Sequence, residues 1–384
     1  MRDFHYISYA QEVIFGHAAL TRMGEALKHA GWRRLMLCTS HSMRSSGHAA
    51  AVEALLGERL VATFDRAQPH VQDIQVEEAL TLAEAEDVDA LIGLGGGSPI
   101  GMAKAVAYKL EDRRTARPRE QSASTAQPMV PVVAIPTTYA GSEMTAVFGI
   151  THSRENPPRK VTTYDPKIAP KLVVYDPDLT LDLPPELTAS TGINALAHCF
   201  EALYSITRHP LSTSAAISGV HKIGNSLLRC FQDGSDLEAR TEMLAGAHLA
   251  GLSLSSVAMG LHHGLCHVLG GAAGVPHGIA NGIMLPHAIR FNAEATATEL
   301  LPAAEALGLP LDGNRPAVIM EETAQRVYDL VGDMRLPQRL REVGVKRDDL
   351  PRLGQLAFQN QTVQNNPKRI SDAAQLEELL RAAW

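Results

Sequence analysis

Short, unbroken apolar runs recur through the first half of the chain, with helical periodicity between them. Residues 34–39 (RLMLCT), 60–64 (LVATF), 90–94 (ALIGL), 130–135 (VPVVAI) and 172–175 (LVVY) lack the alternation of a half-solvated strand. They predict strands covered on both faces. Residues 71–86 place apolar positions at helical spacing with carboxylates on the outer face, which predicts an amphipathic helix. Strands alternating with helices imply a parallel α/β sheet. Residues 113–128 are polar, rich in Ser and Arg and aperiodic, and predict a surface excursion. Asp176-Pro177 ends the last strand. After Leu183-Pro184-Pro185, helical patterning dominates to the C-terminus. The expectation is an α/β domain over residues 1–180 and an all-α domain over residues 181–384.

A chain of 384 residues is ample for two cores. Its net charge of −7 argues against a nucleic-acid surface or a polybasic membrane contact. Cys38, Cys199, Cys230 and Cys266 show no CxxC spacing and read as reduced thiols of a cytoplasmic protein. The opening MRDFHY lacks the apolar stretch of a signal peptide. Residues 243–289 contain no Asp, Glu, Lys or Arg, a length that raises the question of a membrane span. Six histidines and the break Gly274-Val275-Pro276-His277-Gly278 interrupt the segment, and a lipid-facing helix would bear that density of imidazole at high cost. Buried helices lining a site are the better expectation.

Two groups of residues carry candidate chemistry. Gly95-Gly96-Gly97-Ser98 follows a predicted strand and opens a helix. Glycines there let backbone N–H groups approach a pyrophosphate, and the helix N-terminus favours the anion. The spacing is not GxGxxG, so a plain strand–helix turn is the alternative. The second group is histidine-rich. Positions i and i+4 share a helix face, which pairs Asn194 with His198 and His263 with His267. His277 follows the Gly-rich break and can return to the same pocket. Three imidazoles and a carboxylate would make a divalent metal site, but an amide, Asn194, stands at the carboxylate position. Three neutral imidazoles alone can hold zinc. Losing the carboxylate weakens binding of hard cations.

These segments resemble the iron-containing alcohol dehydrogenases, in the family's order, from about residue 13 to about residue 292. Thr191-Gly192-Ile193-Asn194-Ala195-Leu196-Ala197-His198 resembles that family's TGxDAxxH stretch. Residues 260–267 (GLHHGLCH) and Pro276-His277-Gly278 resemble its second and third ligand segments. Gly95-Gly96-Gly97-Ser98 and residues 136–143 (PTTYAGSE) resemble its cofactor segments. Within the family the chain looks most like the maleylacetate reductase branch. Asn194 replaces the ligand Asp, Gly101 replaces an Asp that metal-dependent members usually carry, and His262-His263 is like that branch's doublet. Two stretches depart from the branch. Residues 276–281 (PHGIAN) look like the alcohol dehydrogenases, and Gly264 stands where the branch often has Lys.

The resemblance implies a Rossmann-like NAD(P)-binding domain, a helical catalytic domain, a site in the cleft between them and a homodimer. It implies cofactor contacts at Gly95, Gly96, Gly97, Ser98, Thr137, Thr138, Ser142 and Lys160. Where metal-dependent relatives often place an Asp against the adenosine ribose, this chain has Ser40, with His41 and Arg44 close by. Ser40 would not repel a 2′-phosphate, so NADPH as well as NADH is expected. Ser40 is also a fitting helix cap. The branch further implies no required metal and a small dianionic substrate, whose C=C bond takes a hydride to give an enolate. A cluster of His198, His262, His263, His267 and His277 without metal, partly cationic, would attract the carboxylates and supply a proton, with Asn194 helping to orient substrate. His263 and His267 are the expected donors. A metal-dependent alcohol or aldehyde dehydrogenase is the alternative.

Overall fold

The structure is a computed structural model. It describes residues 4, 6–69, 71–114, 127–152, 159–311 and 315–384, without the side chains of residues 159 and 160. Most of the expected surface excursion lies outside the described residues. The chain divides into two compact units. One is Tyr6–Leu183; the other is Pro184–Trp384, joined by Phe4, whose ring stacks on His209 at 5.2 Å.

Among the described residues the first unit carries eight strands: β1 (Glu12–Phe15), β2 (Leu35–Cys38), β3 (Leu60–Phe64), β4 (Ala90–Gly95), β5 (Val132–Pro136), β6 (Val147–His152), β7 (Arg159–Tyr164) and β8 (Leu172–Tyr175). Its helices are α1 (Met23–His29), α2 (His41–Ser45), α3 (His48–Leu56), α4 (Asp73–Ala85) and α5 (Gly97–Arg114). Six strands form one sheet in the order β1-β8-β5-β4-β2-β3, with every pairing parallel. β6 and β7 form a separate antiparallel hairpin.

Period-two geometry explains the unbroken apolar runs. Leu35 and Leu37 of β2 enter a core with α1 and α3, while Met36 and Cys38 enter a core with α4 and α5. β4 divides in the same way, Ile92 and Leu94 to the first and Leu91 to the second. Both faces are covered, so no position needs to be polar. The short edge strand β1 and the hairpin were not legible as strands. β1 is only four residues with two of them exposed, and β7 reads RKVTTY, with no apolar run.

The second unit is helical: α6 (Pro185–Tyr204), α7 (Pro210–Gln232), α8 (Leu237–Ser256), α9 (Leu261–Ala273), α10 (His277–Ala306), α11 (Pro316–Asp333), α12 (Leu350–Phe358), α13 (Gln361–Gln364) and α14 (Ala373–Ala382). The expected fold class, a parallel α/β region followed by an α-helical one, is the one observed. The uncharged residues 243–289 form the end of α8, all of α9 and the start of α10. Among the described residues no single helix is long and apolar enough to cross a membrane. α8 and α9 pass that test only as a pair, bent by 95°.

Helix α5 lies directly on β4 at Gly93, where a Cβ would stand 2.7 Å from Ile100 Cα. Neither backbone can retreat without lifting the helix off the sheet. Gly93→Ala is therefore expected to destabilise the protein by about 2 kcal/mol, as overpacking does. A fall in the urea midpoint at unchanged slope would register it.

Candidate active site

The sheet order defines where the first unit can bind a ligand. From β2 the chain moves outward to β3, then returns to β4 on the other side of β2. Crevices form beyond the carboxyl ends of strands at such a reversal. Thr39 and Ser40 follow β2, and Gly96 and Gly97 follow β4, so both flank the reversal. Thr39 Oγ1 donates to Leu94 O at 3.0 Å and ties the two strand ends together. Gly95 has φ +132°, a conformation that favours glycine. A Cβ on Gly96 would meet Thr138 Oγ1 at 3.3 Å, and Thr137 N donates to Gly95 O at 3.1 Å. The glycine turn and the two threonines are thus one cradle at the N-terminus of α5. Gly97 meets nothing within 4 Å, and no acidic residue stands in the first turn of the helix. Such an opening of a helix N-terminus favours an anion.

Other expected cofactor residues fall as follows. Ser98 is half-buried in the first turn of α5. Ser40 occupies the N-cap position of α2 but makes no side-chain cap bond; its Oγ lies 2.9 Å from Ser42 Oγ. Arg44 is taken up by Glu53 at 2.7 Å and Asp65 at 3.2 Å. Lys160 pairs with Thr151 in the hairpin, and its side chain lies outside the described residues. Tyr139 is fully buried and packs. Ser142 lies in the turn that joins the cradle to β6, and its carbonyl accepts from Lys104 at 2.5 Å.

Lys104 is a residue that sequence reading missed. It sits on α5, wholly buried, and its Nζ also donates to Thr145 O at 2.7 Å, Thr145 Oγ1 at 3.1 Å and Val147 O at 3.2 Å. One ammonium thereby anchors residues 142–147 to the helix that opens with the glycine turn. Nearby Glu143 is buried and accepts from Tyr175 Oη at 3.0 Å. Burial raises its carboxyl.

In the second unit, Asn194, His198 and Glu201 lie on one face of α6 at i, i+4 and i+7. His262, His263 and His267 lie on α9, and His277 opens α10. Gly278 brings α10 against α6, since a Cβ there would meet Ser190 O at 2.9 Å. The imidazoles gather: His198 stacks on His263 at 4.6 Å between ring centres, His263 and His277 are 5.9 Å apart, and His267 stacks on His277 at 5.7 Å. Asn194, His198, His262 and His263 are buried, His277 is half-buried and His267 is exposed. Cys266 Sγ lies 3.8 Å from His262 Nε2, and burial holds its thiol protonated. Lys368 lies over the Phe291 ring and 3.8 Å from Glu294.

The expectation of a partly cationic cluster is corrected for three of its rings. Burial, then repulsion among neighbouring imidazoles, drives His198 and His263 well below the ordinary histidine value. Burial also lowers His262, against the pull of Glu201. These rings are neutral, with lone pairs available. His198 Nδ1 and His263 Nε2 are buried with no hydrogen-bond partner among the described residues.

Glu201, also missed from sequence, organises this cluster. Its Oε1 accepts from Gly260 N at 3.1 Å, His262 N at 3.0 Å and Tyr204 Oη at 3.2 Å. Its Oε2 accepts from His263 N at 3.2 Å and lies 2.6 Å from His263 Nδ1. Burial raises its carboxyl. Against that stand three backbone N–H groups and a hydroxyl directed at its oxygens, and such donors favour the charged form. His262 Nε2 lies 3.1 Å from Asn281 O, which links α9 to α10. Glu201, His262 and His263 bring one potential ligand atom each within 4.8 Å of the others. Both Glu201 oxygens and His262 Nε2 are already hydrogen-bonded, so His263 Nε2 and His198 Nδ1, without partners among the described residues, are the better metal donors.

The chain belongs to the iron-containing alcohol dehydrogenase family. The iron-containing alcohol dehydrogenase model matches residues 10–177, and the family's C-terminal model matches residues 188–384. The chain is 34% identical to the maleylacetate reductase of Sphingobium indicum, over 99% of this chain and 97% of that protein. It is 35% identical to that of Pseudomonas knackmussii, over 97% and 95%. Among solved structures, the maleylacetate reductase from Agrobacterium tumefaciens superposes with a TM-score of 0.86 at 30% identity, covering 100% of this chain and 99% of that one. A 1,3-propanediol oxidoreductase superposes with a TM-score of 0.91 at 29% identity, covering 100% of both.

This membership overturns the expectation that no metal is required. Both family models are those of iron enzymes. Asn194 suggested a lost site because it removes a ligand charge. Neutral imidazoles, a buried His263 Nε2 with no partner among the described residues and a carboxylate on the opposite ring nitrogen nevertheless fit a metal.

Lys104→Met would remove the buried donor shared by the carbonyls of Ser142, Thr145 and Val147 and is expected to destabilise the protein by about 3 kcal/mol. The pH dependence provides a second check. Burial lowers the folded-state value of Lys104 from 10.5 to about 7. Between these values the unfolded chain binds more protons, so stability should rise with pH across that window. Denaturant titrations should show that rise in the wild type and its loss in Lys104→Met.

Proposed function

We propose that this chain is a maleylacetate reductase, which uses NADH or NADPH to reduce the C=C bond of maleylacetate to 3-oxoadipate during aromatic-compound breakdown. The observation that carries the reading is similarity to several maleylacetate reductases across 97% to 100% of the chain. Chlorinated maleylacetates belong to the same substrate class. The reading also makes the protein a cytoplasmic homodimer.

The first unit holds the dinucleotide. Gly95, Gly96, Gly97 and Ser98 at the start of α5 take the pyrophosphate, Thr137, Thr138 and Ser142 border it, and Lys160 serves the nicotinamide ribose. Ser40 faces the adenosine ribose and leaves room for a 2′-phosphate. Asn194, His198, His263 and His277 would hold an iron ion, with Asn194 offering its amide oxygen, and such an ion would supply positive charge beside a substrate oxygen. Hydride addition to the enone gives an enolate, which needs a donor to complete 3-oxoadipate. His267 is the exposed imidazole of the cluster and can exchange protons with solvent, so it supplies that proton. His262 orients His263 from behind.

With maleylacetate, the loss of NADH absorbance should be rapid, should cease on chelation and should return with ferrous iron. His267→Ala is expected to lower kcat about 10²–10⁴-fold, the usual loss for a positioned proton donor. Efficient oxidation of simple alcohols without turnover of maleylacetate would instead favour an alcohol dehydrogenase. The residues 276–281 (PHGIAN) and the 1,3-propanediol oxidoreductase superposition support that second reading.

Ser40→Asp tests cofactor choice separately. It should weaken NADPH by about 1–3 kcal/mol, the cost of one like-charge contact, and leave NADH nearly unaffected. Equal losses for both cofactors would mean that Ser40 does not face the ribose.

A further inference from the structure

Both oxygens of the Glu201 carboxylate meet donors, and they do so unequally. Oε1 faces two backbone N–H groups and the Tyr204 hydroxyl. Oε2 faces the His263 N–H and its imidazole Nδ1. Backbone N–H groups can only donate. On the Oε2 side the imidazole can exchange its role, because a neutral ring carries its proton on either nitrogen. A carboxylate on Nδ1 fixes the proton there. Nε2, buried and without a hydrogen-bond partner among the described residues, is then left with its lone pair directed into the cluster.

We infer that Glu201 is a positioning residue for the metal centre: it selects the His263 tautomer in which Nε2 is the ligand nitrogen. This rests on the iron reading above. It also accounts for a site whose own ligand set carries no charge. With Asn194 in place of an acid, the negative charge at this centre comes from the Glu201 carboxylate, through His263. Such outer carboxylates raise ligand basicity and fix ring orientation.

Glu201→Gln separates this role from packing, because it conserves shape and removes one acceptor. The amide NH2 group must face either Oε1's three donors or Oε2's two. The Oε2 side costs less, since His263 can answer by moving its proton to Nε2. That blocks the ligand lone pair. Tyr204→Phe is the control, since it removes a donor from Oε1 and leaves the Oε2–Nδ1 contact intact.

The test uses the full chain labelled with 15N-histidine. Nitrogen–proton correlations report the His263 tautomer in metal-free protein, and competition with a chromogenic chelator reports ferrous iron affinity. The wild type should show Nδ1–H. Glu201→Gln should show Nε2–H and bind iron about 10–100-fold more weakly, as loss of such a carboxylate does elsewhere. Tyr204→Phe should leave both readouts unchanged. Adding Asn194→Asp to Glu201→Gln should recover affinity by returning the charge to the ligand set. Wild-type His263 protonated at Nε2, or equal loss of iron in Glu201→Gln and Tyr204→Phe, would overturn the inference. The wild-type tautomer requires no variant to fold. Wild type that shows Nδ1–H yet takes up no iron would defeat the iron reading, and Glu201's part in ligation with it.

Discussion

The helical unit depends on one buried carboxylate meeting five donors. Glu201 joins α6 to the first turn of α9 through backbone N–H groups, and it reaches the ring of His263 at the same time. A helix start leaves its N–H groups without partners, and burying them without acceptors costs free energy. Glu201 meets that need and sets the geometry of the imidazole cluster in one contact. Around it, burial keeps His198, His262 and His263 neutral. A cluster of neutral rings is a set of ligands; a cluster of charged rings would repel a metal. Desolvation therefore decides which chemistry these histidines can support.

Sequence made the sheet legible where both faces are buried. The runs in β2, β4 and β5 are apolar because alternate residues serve two cores. β1 and the hairpin lack that signature. They are short, partly exposed or carry charge, and their strand state comes from pairing rather than pattern. Strand order was not legible either. Parallel pairing puts Ser40 and the glycine turn at one end of the sheet, and the adjacency of β2 and β4 makes them neighbours there.

At the histidine cluster, spacing along helices identified the rings, and it could have identified Glu201. Asn194, His198 and Glu201 stand at i, i+4 and i+7, so the carboxylate shares the helix face of the amide and the imidazole. Lys104 had no comparable signal, since its partners are carbonyls 38 to 43 residues away. Charge state was beyond reach from sequence, because desolvation is a tertiary property. Gly264, visible only as a departure from the reductase branch, has a structural cause: Val363 N of α13 would stand 2.8 Å from a Cβ there. No side chain fits at that position without moving α13 off α9.

The central claim is that His198, His263 and His277, with Asn194, form an iron site whose geometry Glu201 sets from outside. Anomalous diffraction at the iron edge, from crystals loaded with ferrous iron, tests this most directly. The account requires one strong peak within bonding distance of the three imidazoles, on the Nε2 side of His263, with Glu201 still on Nδ1. A peak among Glu201, His262 and His263, or none at the cluster, would contradict it.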